Sequence, residues 1–127
     1  MIAVDTSSMV AFLQGDTGPD VDVVDDALAH NQVVLPPVVL SELLSDPKLK
    51  DSVAAVLKQI PILEVLDGYW VRVGQLRSKV LKKGYKARLT DALISQSCID
   101  HRTPLITRDA DFRHYAKLGG LELLRSH

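Results

Sequence analysis

The chain has 127 residues, 46% of them apolar, with 15 basic and 16 acidic side chains and a net charge of −1. That size suits one domain with one core, and the balance excludes a disordered chain or a polycation, so any nucleic-acid contact must come from a local patch. No apolar run nears the roughly 20 residues that cross a membrane, Met1-Ile2-Ala3-Val4-Asp5 lacks a secretory pattern, and the single Cys98 leaves no internal disulfide; a cytoplasmic protein is expected.

Residues 2–5 read as a short buried strand. Thr6-Ser7-Ser8 offers N-cap hydroxyls for a helix through Met9 to Leu13, stopped by Gly15. Gly18-Pro19 opens a second helix with Val21, Val24, Ala27 and Leu28 on one face. Gln32 to Leu35 is the second strand. Pro36-Pro37 follows, then a short helix carrying Glu42. Asp46-Pro47 has the N-cap and N1 pattern of a helix running to about Gln59. Ile62 to Val65 is the third strand. Tyr69, Trp70, Val73, Leu76, Val80 and Leu81 have helical spacing, and Gly84 is the stop. Asp91 to His101 is a further helix, Thr103 to Thr107 the fourth strand and Leu121 to Leu124 the fifth. Strands alternating with helices imply an α/β domain, residues 1–127, with a mainly parallel sheet covered on both faces.

Four acids stand where an apolar run ends or a short helix begins: Asp5, Glu42, Asp91 and Asp109. Each alone also fits a structural role, as a first-turn helix acid or a turn residue; Asp111 fits a turn as well. Together, the element order puts all four at the carboxyl end of one sheet, where open α/β folds place their clefts. Carboxylates gathered there repel, and a hard cation that prefers oxygen, Mg²⁺ or Mn²⁺, would neutralise them. That is the charge pattern of metal-dependent phosphoryl transfer.

The segment Lys82-Lys83-Gly84-Tyr85-Lys86-Ala87-Arg88 sets cations around an aromatic ring, a combination that grips phosphates and stacks a base. It fits equally a solvated helix end whose lysines complement the dipole. Arg108, beside Asp109, has three readings: a phosphate contact, a partner for a site acid, or a solvent-facing side chain. Cys98 and His101 form a Cys-x-x-His pair without the further ligands of a zinc site. No Ser-His-Asp or P-loop pattern appears.

The chain resembles the PIN-domain ribonucleases, and among them the VapC toxins of prokaryotic toxin–antitoxin operons. The likeness rests on four short motifs in order: Val4-Asp5-Thr6-Ser7, Leu40-Ser41-Glu42-Leu43-Leu44, Thr90-Asp91-Ala92-Leu93-Ile94, and Ile106-Thr107-Arg108-Asp109-Ala110-Asp111-Phe112. It covers almost the whole chain and departs at Ser95-Gln96-Ser97, where the family often has small apolar residues. The resemblance implies a three-layer α/β/α nuclease domain. It implies an acidic metal site of Asp5, Glu42, Asp91 and Asp109, with Thr6 and Thr107 as hydroxyl supports and Asp111 as an extra acid. Asp5 and Asp109 would hold the principal Mg²⁺ or Mn²⁺, and Glu42 and Asp91 would complete the cage. It further implies an RNA substrate, a VapB-like antitoxin and a homodimer, for which Met9, Phe12, Leu13 and Trp70 are candidate interface residues. Alternative readings are a PIN-type RNA-processing nuclease outside such an operon and a receiver-like signalling module, whose acidic pocket wants adjacent acids where Asp5 stands alone.

Overall fold

The computed structural model describes residues 1–124. Its centre is a three-stranded parallel sheet in which β1 (Ile2–Val4) lies between β2 (Val33–Val34) and β3 (Leu105–Ile106). Ile2 pairs with Val33 and Ala3 with Val34 on one side; on the other, Ala3 pairs with Leu105 and Val4 with Ile106. Ala3, Val4, Val33, Val34, Leu105 and Ile106 are all buried. Such unbroken apolar runs are what a parallel strand with both faces covered requires.

Two expected strands shrink to single contacts. Residues 62–65 and 121–124 each make one isolated parallel bridge, Leu35 with Ile62 and Leu105 with Leu123. In the first segment only Leu63 is buried, while Ile62 and Val65 are each 47% exposed. The Glu64 carbonyl is taken by the His101 ring, Nε2 at 2.8 Å, instead of a ladder partner. That contact also gives His101 a structural role, and Cys98 is a buried thiol whose pKa is pushed up to about 12, mainly by burial.

Helices α1 (Thr6–Leu13) and α2 (Pro19–Ala29) pack together. Pro19 takes the first helical position of α2, where its missing N–H costs nothing. α3 (Pro37–Leu44) bridges α1 and α6 (Leu89–Asp100), and α6 packs with α5 (Tyr69–Lys82) and α7 (Phe112–Gly119). Sheet and helices make a three-layer α/β/α fold. α4 (Asp51–Leu57) begins later than Asp46-Pro47 suggests. Asp46 instead accepts the Lys48 N–H on its side chain at 2.9 Å and the Leu49 N–H on its carbonyl at 3.1 Å, an Asx-type turn that competes with the helix.

On α5 the buried stripe is Tyr69, Val73, Leu76 and Val80, whereas Trp70 is 68% exposed and Leu81 46%. Gly84 does follow the helix end, with φ of +82°. α7 has no counterpart in the sequence expectations, although Phe112 and Tyr115, its two buried anchors, have the i, i+3 spacing of a helix face. The Ser95-Gln96-Ser97 departure is absorbed by polar contacts. Gln96 donates to Asp100 at 2.8 Å and Ser97 to the Tyr69 hydroxyl at 3.4 Å, while Ser95 Oγ has no hydrogen-bond partner among the described residues. Arg72 forks onto Asp100, Nε at 2.9 Å and Nη2 at 2.6 Å, and so ties α5 to α6.

Leu105 is wholly buried on β3. Leu105→Ala should cost about 2–5 kcal/mol, read as a lower urea midpoint; a loss under about 1 kcal/mol would show a site loose enough to collapse without penalty.

Candidate metal centre

Where β1 ends, Asp5 follows as the N-cap of α1, only 4% exposed. Its Oδ2 accepts hydrogen bonds from Ser7 Oγ at 2.7 Å and Thr107 Oγ1 at 2.6 Å. Thr107 stands where β3 ends, and its hydroxyl also accepts the Asp109 N–H at 3.0 Å. Asp109 Oδ1 in turn accepts the Asp111 N–H at 2.9 Å. The loop between β3 and α7 is therefore wound by its own side chains. Asp91 sits in the first turn of α6 and is nearly buried.

Carboxylate oxygens of Asp91, Asp109 and Asp111 lie within 4.8 Å of one another. Asp5, Asp91 and Asp109 line an open cleft of about 280 Å³ together with Thr6, Glu42 and Arg88. Glu42 is exposed on α3 and accepts the Thr6 hydroxyl at 2.6 Å. The four acids thus meet in one cleft, with Glu42 at its rim and Asp111 in the tightest cluster. A larger groove of about 760 Å³ runs along α5 beside Trp70 and is lined by none of them.

Burial pushes the Asp91 pKa up to about 6, reinforced by the charges of Asp109 and Asp5 and opposed by Arg88. Burial also raises Asp5; the Thr107 and Ser7 hydroxyls oppose it, and the charge of Asp109 adds to it. The N-terminal ends of α1, α6 and α7 all begin at these acids, and their partial positive charges offset some of the repulsion. A donor set made only of oxygens, short of positive charge, fits a hard divalent cation.

Several expectations need correction. The N-cap of α1 is Asp5, and the three hydroxyls after it are engaged elsewhere: Thr6 with Glu42, Ser7 with Asp5 and Ser8 with Asp20. Arg108 is not a free phosphate-binding cation, because Nε and Nη2 both donate to Asp20, at 2.8 and 2.9 Å. Tyr85 stacks on His114 with ring centres 4.0 Å apart, so one of its faces is already covered. Lys82, Lys83 and Lys86 are exposed, and Lys82 borders the α5 groove, leaving Arg88 as the one cation of this segment that lines the acid cleft. Met9 is wholly buried and offers no interface. Sequence reading missed Ser7, which a Ser two residues after the strand-end acid could have flagged, and Asp20, whose partner lies 88 positions away and left no local signal.

Fold and cleft together define an α/β domain with carboxylates at the carboxyl edge of a parallel sheet. The chain matches the PIN domain model over residues 2–118 and belongs to that family, whose members are generally nucleases. No curated protein sequence matches it. Among solved structures, it is similar to VapBC2 from Rickettsia felis, bound to a DNA fragment from its promoter, with a TM-score of 0.75 at 20% identity over 98% of both chains. FitAB bound to the IR36 DNA fragment gives 0.74 at 18% identity, over 98% of this chain and 94% of that one. VapBC-5 from Mycobacterium tuberculosis, a toxin–antitoxin protein, gives 0.67 at 22% identity, over 98% and 97%. At these identities the likeness is one of fold.

A raised carboxyl pKa has a stability consequence of definite sign. Asp91 titrates near 6 when folded and near 3.8 when unfolded, so between those values the unfolded chain holds fewer protons and is favoured as pH rises. Metal-free protein should therefore lose stability from pH 4 to 6, and Asp91→Asn should flatten that decline. Urea midpoints in EDTA across this range check it; a wild-type midpoint with the same pH dependence as the variant's would contradict a raised Asp91 pKa.

Proposed function

We propose that this chain is a single-domain, metal-dependent endoribonuclease, acting in the cytoplasm as the toxin of a VapBC-type pair. The observation that carries the reading is the meeting of the Asp5, Asp91 and Asp109 carboxylates in one cleft. Asp5, Asp91 and Asp109 would hold Mg²⁺ or Mn²⁺, with Glu42 and Asp111 completing the acid set. When bound, the ion acidifies a water and neutralises charge on the scissile phosphate. Ser7 and Thr107 fix the Asp5 carboxylate, and Thr6 fixes Glu42, so the ligands need little reordering. Arg88, at the cleft, meets a substrate phosphate, while exposed Lys82, Lys83 and Lys86 add backbone affinity beside it.

The structural neighbours that are VapBC complexes support a small VapB-like antitoxin as partner. Exposed apolar side chains, with Trp70 and Val71 at 68% and 65%, supply surface for that partner or for a homodimer.

Purified protein should cut a pool of structured RNAs with Mg²⁺ or Mn²⁺ and stop in EDTA, and Asp109→Asn should abolish cutting. Attack of water on phosphorus with departure of the 3′-oxygen leaves 5′-phosphate and 3′-hydroxyl ends; 2′,3′-cyclic phosphates would contradict this chemistry. Replacing Lys82, Lys83 and Lys86 by Gln should lower the slope of log affinity against log salt by about 2 for single-stranded RNA. An unchanged slope would assign those lysines to solvent.

A further inference from the structure

Asp20, in the first turn of α2, is 6% exposed and bonded through both carboxylate oxygens. Arg108 grips it as a fork, and Ser8 Oγ adds a third hydrogen bond at 2.8 Å. None of these three residues lines the acid cleft. Yet Arg108 stands between Thr107, whose hydroxyl holds Asp5, and Asp109. The loop is thus fastened twice, to α1 through Thr107 and Asp5 and to α2 through Arg108 and Asp20, while Ser8 joins α1 to α2. The backbone at Gly18 closes on the same pair. A Cβ there would lie 2.8 Å from Asp20 Oδ1 and 3.2 Å from Arg108 Nη2, at a φ of +148°, a conformation that favours glycine.

We propose that Asp20 and Arg108 form a latch that fixes the loop from Thr107 to Asp111, making Asp20 a positioning residue for the Asp109 and Asp5 carboxylates. The latch has a second effect. An unpaired guanidinium next to Asp109 would be drawn onto the cleft acids and compete there with a cation. The fork holds that charge on Asp20, through Nε and Nη2. That the latch serves metal binding rests on the nuclease reading; that it orders the loop does not.

The test compares full-length wild type with Asp20→Asn and Arg108→Gln. Asp100→Asn is the control, since it cuts the other Arg–Asp fork, away from the acids. In metal-free protein, amide hydrogen exchange at Asp109 and Asp111 should rise several-fold in both latch variants and stay unchanged in the control. Calorimetry with Mn²⁺ alone should show affinity about tenfold weaker in the latch variants, and Arg108→Lys, which keeps the charge but loses the fork, should fall between. Unchanged exchange at Asp109 and Asp111 in both latch variants would overturn the proposal. An equal rise in Asp100→Asn would also overturn it, as general loosening. Faster exchange in the latch variants, with no Mn²⁺ uptake by wild type, would uphold the latch and overturn the nuclease reading.

Discussion

Asp5 is a carboxylate held almost out of water at the end of the central strand, and two hydroxyls from separate elements, both donating to its Oδ2, keep it there. Ser7 reaches it from the first turn of α1 and Thr107 from the end of β3. Desolvation works against the charge, and Asp109 adds repulsion. The contact with Thr107 therefore joins residues 102 positions apart at the point where the fold stores unfavourable electrostatics. It exists only because β1 and β3 are parallel neighbours in register, Val4 opposite Ile106, so that the residues after them emerge side by side. A divalent ion would turn this liability into binding energy, the usual logic of clustered carboxylates at functional sites.

The same sheet edge explains how a net charge near zero is compatible with a strongly acidic cleft. Charge is sorted by position. Asp20 and Asp100 are each neutralised by a forked arginine, and both carboxyl groups are held below their ordinary range, Asp20 at about 2, chiefly by its Arg108 hydrogen bonds. Among the described residues Asp91 and Asp5 have no such partner, and they shift the other way. Acids of one kind hold helices and loops together; acids of the other kind face the cleft. For these four aspartates the direction of the pKa shift separates the two groups where the residue type does not.

Much of this was legible in the sequence because it is written locally. An apolar run followed by Asp, or Thr-Asp opening a helix, marks a strand end or a helix start without knowledge of the fold, so the positions of Asp5 and Asp91 were readable. A mainly parallel sheet followed from the alternation of elements, though not its strand order, and the PIN resemblance from the order of four motifs. What failed was set by tertiary contact. Residues 62–65 have strand composition, but the His101 ring takes a carbonyl that a ladder would have used. Leu81 has core spacing on α5 and is 46% exposed. Tyr85 and Arg108 look like nucleic-acid contacts until His114 and Asp20 are brought to them. Asp20 itself reads as an ordinary first-turn acid, one of two in α2, and only the fold reveals which of them is buried.

In the proposed function, Asp5, Asp91 and Asp109 form a cation site. A crystal of the full chain soaked in Mn²⁺ and measured at the manganese absorption edge tests it most directly. An anomalous peak is expected in the cleft, in ligand contact with carboxylates of Asp5, Asp91 and Asp109, and its loss in crystals of Asp109→Asn. A cleft without such a peak, with manganese instead at solvent-facing acids such as Asp25 and Asp26 on α2, would contradict it.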